Sequence, residues 1–359
     1  MSSTSSGKEL LMVGSLPLDT AEEVMRLCGA RLGRWLPCIP DGEVGDRKIW
    51  IVGLGYRVYH GHPEIETLNR PAPIDGRENW RPRDLHDIWQ FRVKPGVKTV
   101  RFGDLGWRMG YARDAINSYF VFRTLREKGA IPADLRFQVC LPLTVSAFGS
   151  MFRDPDDFAK LAPGVEEALN AEVATMLRHI PAADLAIQWD CAVEIGILEG
   201  MMPWAAQAIT FDFNVEPAAR LSPSIPDEVM LGYHLCYGNL TDWPMIRPGD
   251  LGTCVDYTNA LLQRSGRRVD FVHIPILDHV DDSYFAPLAR LKLDGTRLYA
   301  GVIHHMDDLN DYRRRIAEVR KYIPAFGIAG PCGYGRLKPS VVPALIDEHV
   351  RGVEIFTRG

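Results

Sequence analysis

Eight short apolar runs, separated by segments of helical periodicity, constrain the fold of this chain more than any other feature. Each run is nearly continuous in apolar character, as is typical of strands that are buried on both faces. Strands of this kind with helices between them indicate a parallel sheet. The runs are residues 10–13, 35–39, 137–141, 185–189, 229–233, 269–274, 297–303 and 326–329.

Eight parallel strands in a chain of 359 residues predict an α/β protein that folds as one (β/α)8 barrel, a TIM barrel. An open parallel sheet is the alternative that this strand pattern leaves. We expect residues 1–8 to be a disordered tail, because they are rich in serine and carry no apolar run. Residues 9–359 are then a single barrel domain.

Two segments carry the clearest helix signals. After the seventh run, apolar residues recur at steps of three and four: Leu309, Tyr312, Ile316, Val319 and Ile323. This spacing predicts a helix that places one face on the barrel. After the third run, Asp154 followed by Pro155 predicts a turn or a helix start, with the aspartate as cap and the proline at the first helical position.

Residues 48–132, between the second and third runs, are too many for an ordinary loop. They are rich in tryptophan, tyrosine, proline and charged residues. We interpret them as a long insertion, helical in part, that caps one end of the barrel. The alternative is extra packing against the barrel wall. Residues 97–102 are a candidate strand within this insertion.

Charge and composition exclude several function classes. The net charge is −5, the pI is near 6.1 and the basic residues are dispersed, so the sequence does not predict a basic surface that binds nucleic acid. No apolar run approaches the roughly 18 residues of a membrane span. Seven irregularly spaced cysteines do not form a disulfide framework and favour a reducing compartment. We therefore expect a cytoplasmic protein whose partners are small molecules.

The strongest chemical signal joins His234 and Cys236, at the end of the fifth run, with Cys332, after the eighth. The carboxyl-terminal ends of barrel strands form the active-site face of a TIM barrel. Residues i and i+2 of a strand point the same way, so His234 and Cys236 can face one ion. One imidazole and two thiolates suit zinc and leave a coordination position for substrate. The alternative is a buried structural His-x-Cys, since free cysteine is among the most buried residue types.

Six segments are similar, in order, to motifs of the catalytic barrel of cobalamin-independent methionine synthase. They are Gly14-Ser15-Leu16-Pro17 for that family's Gly-Ser-Phe-Pro, Gly42-Glu43 with Arg47 for Gly-Glu…Arg, Pro142-Leu143-Thr144 with Phe148 for Pro-Val-Thr…Trp, Gln188-Trp189-Asp190 for Gln-Ile-Asp, His234-Leu235-Cys236-Tyr237 for His-x-Cys-Tyr, and Pro331-Cys332-Gly333 for Pro-Asp-Cys-Gly. The resemblance spans about residues 10 to 340, which corresponds to the catalytic half of the long methionine synthases.

The resemblance implies a zinc-dependent methyl or alkyl transferase that activates a homocysteine-like thiol. His234, Cys236 and Cys332 would then be the zinc ligands. Ser15, Glu43 and Asp190 would contact the amino-acid part of the thiol, and Gln188 would be a further substrate-binding residue. A tetrahydrofolate derivative is the implied methyl donor or acceptor. The alternative for Glu43 is a surface loop charge, and for Asp190 a helix cap.

Three departures from the family's motifs bear on this prediction. The sixth strand lacks the family's glutamate ligand, and His273 or Asp270 could replace it, with His273 preferred; a histidine that only supports the site is equally compatible. Next to Asp190 the chain has Cys191 in place of glutamate. Phe148 stands where the family has the tryptophan that meets the folate; it keeps a ring for stacking but loses the indole N–H.

Two neighbouring histidines, His304 and His305, end the seventh run, where the family has an Asp-Ile-His segment. One of them is the candidate general acid that protonates the leaving group, because an imidazole has a suitable pKa. Asp190 is a further candidate catalytic residue. The alternative for the histidine pair is a cap of the following helix, together with Asp307 or Asp308.

Other functions are compatible with these residues. A zinc enzyme could alkylate another thiol, use another alkyl donor, or demethylate a substrate and pass the methyl group to a folate. A barrel that resembles uroporphyrinogen decarboxylase would have no use for the three metal-binding residues. A non-catalytic protein could bind zinc or a thiol without turnover. Metal content and thiol alkylation distinguish these alternatives.

Overall fold

The structure, a computed structural model, describes residues 8–79, 81–83, 87–205, 208–240, 243–304 and 308–358. Its strands are β1 (Leu10–Leu11), β2 (Cys38–Pro40), β3 (Ile65–Asn69), β4 (Gln90–Val93), β5 (Arg136–Pro142), β6 (Leu185–Cys191), β7 (Met230–Leu235), β8 (Phe271–Pro275), β9 (Arg297–Gly301) and β10 (Gly327–Ala329). The predicted tail comprises residues 1–8; residues 1–7 lie outside the described ranges, and Lys8 forms an ion pair with Asp134 at 2.6 Å.

Eight of these strands form one parallel sheet in the order β1-β10-β9-β8-β7-β6-β5-β2. The first and last strands of the chain are neighbours, since Leu10 pairs with Ile328. The remaining gap, between β1 and β2, is bridged by a hydrogen bond of 3.1 Å from Leu10 N to Trp35 O. This nearly closed barrel confirms the predicted (β/α)8 fold, and each of the eight apolar runs contributes one strand.

The helices that surround the barrel are α1 (Ala21–Leu32), α2 (Tyr111–Glu127), α3 (Thr144–Phe148), α4 (Pro155–His179), α5 (Glu194–Leu198), α6 (Phe211–Leu221), α7 (Gly252–Arg264), α8 (Leu309–Tyr322) and α9 (Val342–Arg358). The Asp154 side chain caps α4 by accepting from Asp156 N, with Pro155 as the first helical residue, as predicted. The predicted apolar stripe of α8 is buried at Tyr312, Ile316 and Val319. No helix within the described ranges is long and apolar enough to cross a membrane.

The chain between β2 and α2 adds structure to the basic barrel. It contains a 3-10 helix (Gly45–Gly53), a π-helical turn (Gly55–Tyr59) and the antiparallel hairpin of β3 and β4. The strand expected at residues 97–102 does not form, and the chain bends at Lys98 and Thr99. Residues 111–127 of the predicted insertion form α2, which packs on β5 between α1 and α4 and so completes the helical layer.

Aromatic packing holds the hairpin against the barrel. Trp89 and Phe91 stack with ring centroids 5.7 Å apart, and Phe91 also packs against Tyr59 and Phe152. The Tyr59 hydroxyl donates to Ala147 O in α3 at 2.8 Å. These side chains are buried, so the added segment shares one apolar core with the barrel.

Candidate metal centre

Three side chains that can bind a metal converge at the carboxyl-terminal end of the barrel. His234 lies near the end of β7, Cys236 directly follows that strand, and Cys332 follows β10. The Sγ atoms of Cys236 and Cys332 are 3.2 Å apart, and Cys332 Sγ lies 3.8 Å from His234 Nε2. Ligand atoms around one tetrahedral zinc are separated by about 3.3 to 3.8 Å. The distance from Cys332 to His234 lies in this range and the two sulfurs are slightly closer together than the range, so a small separation of the sulfurs would let the three side chains hold a single ion of this kind.

Hydrogen bonds determine which nitrogen of His234 faces the two sulfurs. His273 Nε2 lies 2.9 Å from Gly330 O, which can only accept, so this nitrogen carries a proton. A neutral His273 then accepts at Nδ1, which lies 2.8 Å from His234 Nδ1. His234 Nδ1 must therefore donate, and its Nε2 presents a lone pair beside Cys332.

Both imidazoles are neutral because they are buried. Burial lowers the pKa of His273 to about 4. Burial, and then the neighbouring His273, lower the pKa of His234 well below its usual value. Neutral imidazole is the form that binds metals, so the resting state of His234 suits a ligand.

The two thiols are also arranged for a cation. The pKa of Cys332 is raised well above its usual value, first by its hydrogen bond with Cys236 and then by burial. Two buried sulfurs at this distance cannot both ionise without a compensating positive charge. A soft divalent ion supplies that charge, and zinc accepts this set of one nitrogen and two sulfurs.

His273 does not occupy the place expected of a fourth ligand. Both of its ring nitrogens are engaged, with His234 and with Gly330 O. His273 therefore orients His234, and through Gly330 it also holds the loop that carries Cys332. Asp270, the other residue considered, precedes β8 and so lies at the opposite end of the barrel.

A second buried cluster consists of Glu43, Cys140 and Asp190, whose ligand atoms lie within 4.8 Å of one another. The pKa of Glu43 is raised to about 8, first by burial and then by Asp41, with a smaller opposing effect of Arg47. Burial, followed by the charge of Glu43, raises the pKa of Asp190 well above its usual value. Two buried carboxyl groups side by side favour a proton or a bound cation between them.

The turn after β2 presents Glu43 to this cluster. Gly42 and Glu43 both adopt positive φ angles, of 79° and 48°. Asp41 stabilises the turn by accepting from Glu43 N at 2.9 Å and from Arg47 Nη1 at 2.8 Å. Glu43 therefore points into the barrel and is buried, and the alternative of a surface loop charge is wrong.

Gln188, expected to contact the thiol substrate, lies beneath the site. It is fully buried, and its amide donates to Val13 O at 2.8 Å and to Asp190 Oδ1 at 2.7 Å. Its side chain therefore has no free donor for a ligand. The role that this geometry supports is to hold the Asp190 carboxyl in position.

Ser15 joins the first strand to the loop after the last one. Its Oγ accepts from Gly335 N at 3.0 Å, and its carbonyl accepts from Tyr334 N at 2.8 Å. The chain must pass close to Ser15 here, since a Cβ at Gly333 would lie 2.4 Å from Ser15 Oγ. Glycine at this position lets the Cys332 loop approach His234 and Cys236.

A cavity of about 90 Å³ brings these groups together. That volume holds several water molecules, and hence one small substrate. Its polar lining includes Ser15, Glu43, Asp190, His234, Cys236, Asn239, Cys332 and Arg336. The segment between β2 and α2 supplies an apolar wall of four residues: Trp50, Ile51, Val52 and Ile88.

Phe148 does not reach this cavity. It ends α3, is fully buried, and stacks on Phe158 with ring centroids 5.6 Å apart. The predicted stacking of Phe148 on a folate is therefore not available in this structure, because its ring faces are covered by core side chains.

His304 lies in a neighbouring cavity of about 530 Å³, which shares Cys332 with the first. Its Nε2 donates to Ile276 O at 2.7 Å, and its ring packs against Trp243. Burial, and then the charge of Arg315, lower its pKa to about 3. His304 is therefore neutral with one N–H already engaged, which argues against its predicted role as general acid. His305 lies outside the described residues, so the same prediction for it is untested.

Two residues near the site escaped the motif analysis. Cys140 was missed because it belongs to the apolar run that predicted β5. Gln138 and Cys140 are at alternate positions and share the inward face of that strand. Arg336 lies four residues after Cys332 and lines both cavities. A polar residue repeated at i and i+2 of a barrel strand is the signal that would have indicated Cys140. No spacing rule indicated Arg336.

No protein-family model and no curated relative matches the sequence. Solved structures do. A B12-independent methionine synthase from a Shewanella species, in complex with selenomethionine, is 14% identical, with a TM-score of 0.61 and 98% of each chain covered. A Listeria monocytogenes protein assigned as a vitamin B12-independent methionine synthase is 13% identical, with a TM-score of 0.50, over 93% of this chain and 85% of that one. At these identities the likeness shows the fold, and the chain is therefore a (β/α)8 barrel that resembles the B12-independent methionine synthase structures along almost its whole length.

Proposed function

We propose that this chain is a zinc-dependent alkyl transferase that activates a homocysteine-like thiol for attack on a methyl donor such as a methyltetrahydrofolate. The observation that carries the proposal is the convergence of His234 Nε2 with the sulfurs of Cys236 and Cys332 at one wall of a small cavity. The similarity in fold to methionine synthase structures supports the same reaction class.

His234, Cys236 and Cys332 would hold the ion, with His273 fixing the tautomer of the histidine. Zinc bound there would lower the pKa of a substrate thiol and so make its thiolate available at neutral pH. The cavity is lined largely by apolar side chains, including Trp50. Such a wall excludes water and strengthens charge interactions with the substrate.

Glu43 and Asp190 are the proposed partners of the substrate ammonium group. A positive charge between the two carboxyls relieves their repulsion, which is the main reason, after burial, that the pKa of Asp190 is raised. Gln188 keeps Asp190 in place, and the turn at Asp41 keeps Glu43 in place. Binding of the amine would displace the proton that the carboxyl pair holds near neutral pH.

The proposed reaction is displacement at carbon. The substrate sulfur loses its proton to solvent or to a nearby base, and the thiolate attacks the alkyl carbon of the donor. The new sulfur–carbon bond forms as the bond between that carbon and the leaving group breaks. The leaving group keeps the electron pair and takes up a proton, so no electron acceptor is needed.

The predicted cap, residues 48–132, remains a proposal. It is supported by the cavity wall that the segment between β2 and α2 supplies, at residues 50–52 and at Ile88. Its proposed role is to cover the substrate during the reaction.

A second candidate has a specific observation in its favour. Phe148, which stands where methionine synthases have the folate-contacting tryptophan, is enclosed by the protein core. An alkyl donor other than a folate is compatible with this difference. The second candidate is therefore a zinc thiol alkyltransferase with the same thiol activation and a different donor.

The test begins with the metal content of protein purified without added metal. Loss of free thiol is then measured with homocysteine and methyltetrahydrofolate, and in parallel with simple methyl donors such as a methylsulfonium compound. Stoichiometric zinc with homocysteine methylation by the folate supports the first proposal. Zinc with methylation by the other donors alone supports the second, and zinc without any turnover indicates a binding protein.

A further inference from the structure

Arg336 is the one lysine or arginine among the described residues that line the cavity beside the metal-binding side chains. The same cavity contains the carboxyl groups of Glu43 and Asp190. The two carboxyls can bind the positive group of a substrate. If that substrate also carries a negative group, the cavity needs a cation to bind it. Arg336 is placed to be that cation.

The guanidinium of Arg336 is free to bind a ligand. Its Nε is buried and has no hydrogen-bond partner within the described ranges. It also forms no ion pair there, whereas Arg47, on the other side of Glu43, is paired with Asp41 at 2.8 Å. A buried N–H donor without a partner is unfavourable, so a ligand that accepts from it gains stability.

The backbone that leads to Arg336 is held in place. Ser15 accepts hydrogen bonds from Gly335 N and Tyr334 N, at 3.0 Å and 2.8 Å. The Asn239 amide donates to Gly333 O at 2.9 Å. Three consecutive residues before Arg336 are thus fixed to the first and fifth barrel strands or their loops. This restraint reduces the entropy that the arginine would lose on binding a ligand.

We propose that Arg336 binds the carboxylate of the thiol substrate and so selects an α-amino-acid thiol over a simple aminothiol. The assignment rests on the proposed function, since it places the sulfur at Cys236 and Cys332 and the ammonium group at Glu43 and Asp190. The planar guanidinium can bind a carboxylate through two parallel hydrogen bonds. Arg336 lines the same cavity as Cys332 and Glu43, the residues placed at the two other ends of the substrate.

Two thiols that differ only in the carboxylate test the assignment. L-homocysteine and 3-aminopropane-1-thiol share the sulfur and the amine, and their dissociation constants can be measured by calorimetry without turnover. The variants are Arg336→Gln, which removes the charge, and Arg336→Lys, which keeps the charge but cannot form two parallel hydrogen bonds to a carboxylate. Lys338→Gln is the matched control, because Lys338 is an exposed cation of the same loop. Circular dichroism and thermal melting establish that each variant is folded.

The wild-type protein is expected to bind homocysteine about 10- to 100-fold more tightly than 3-aminopropane-1-thiol, the range of a charge-assisted hydrogen-bonded pair. Arg336→Gln should lose this preference and bind the carboxylate-free thiol within about twofold of wild type, while Arg336→Lys recovers part of the preference. An unchanged preference in Arg336→Gln, or an equal loss for both thiols, overturns the assignment and leaves the proposed function standing. Failure of the wild-type protein to bind either thiol overturns both.

Discussion

Removal of His273 should weaken metal binding without removing a ligand. In the structure His273 makes two hydrogen bonds, of 2.8 Å to His234 Nδ1 and 2.9 Å to Gly330 O. The first selects the tautomer of His234 that presents Nε2 to the sulfurs, and the second holds the loop of Cys332. His273→Leu has a side chain of similar size and neither bond.

The expected magnitude follows from these two bonds. Each bond contributes about 0.5 to 1.5 kcal/mol, so the loss of both should make zinc binding less favourable by about 1 to 3 kcal/mol. This corresponds to a fall in zinc affinity of about 10- to 100-fold, the range known for groups that hydrogen-bond to a metal-bound histidine. His273→Gln is the matched control: its amide can accept from His234 and donate to Gly330 O, so it should retain more of the affinity.

Zinc affinity is measured by competition with a chelator, and the ligand set by the absorption spectrum of the cobalt-substituted protein. His273→Leu should keep the thiolate-to-cobalt bands at wild-type intensity and shift only the affinity. Two results would refute the reasoning. An unchanged zinc affinity would show that the hydrogen bonds do not organise the site, and a lower coordination number in the cobalt spectrum would show that His273 is itself a ligand.

Three further predictions concern the ligands, the carboxyl pair and the core. Cys332→Ser should reduce zinc affinity by at least about 100-fold and abolish thiol alkylation, while circular dichroism stays that of the wild type; retained zinc at full stoichiometry would exclude Cys332 as a ligand. Because the pKa of Glu43 is raised to about 8, the carboxyl is protonated below that value, so affinity for 3-aminopropane-1-thiol should rise as the pH increases towards 8. Calorimetric titrations should show this rise flattened in Glu43→Gln, and a pH-independent affinity in the wild type would contradict it. Ile316→Ala on the buried face of α8 should lower the free energy of unfolding by about 2 to 5 kcal/mol in urea denaturation, against less than about 0.5 kcal/mol for the exposed Arg313→Ala, and equal effects would contradict the packing of α8.

The barrel was predictable because its signals are local. Strand β6, for example, begins with the apolar residues Leu185, Ala186 and Ile187, and a nearly continuous apolar run is typical of a strand buried on both faces. Helix α8 follows from apolar residues at steps of three and four, and the start of α4 from an aspartate–proline pair. The hairpin of β3 and β4 was not foreseen, since its strands are partly exposed and Phe91 of β4 packs against Tyr59 and Phe152, which are both distant from it in sequence.

Sequence spacing also brought out the candidate metal ligands, because His234 and Cys236 must share a strand face and Cys332 follows another strand of the same barrel. Their support depends on tertiary structure alone. The register of neighbouring strands decides which of these groups meet. As a result, His273 uses both nitrogens for hydrogen bonds, Gln188 lies under Asp190, and Phe148 is enclosed by the core.

The sequence by itself thus determined the fold and the chemistry of the candidate ligands, since residue type and periodicity act over a few positions. The tertiary structure alone decided which polar groups meet and which are already satisfied. Arg336 illustrates the difference: its type is visible in the sequence, but its place in the cavity of Glu43 and Cys332, with its Nε unpaired among the described residues, arises only when the first, second and last strands close the barrel. Burial of charged and polar groups is a property of the packed chain, and it is burial that raises the pKa of Glu43 and lowers that of His273.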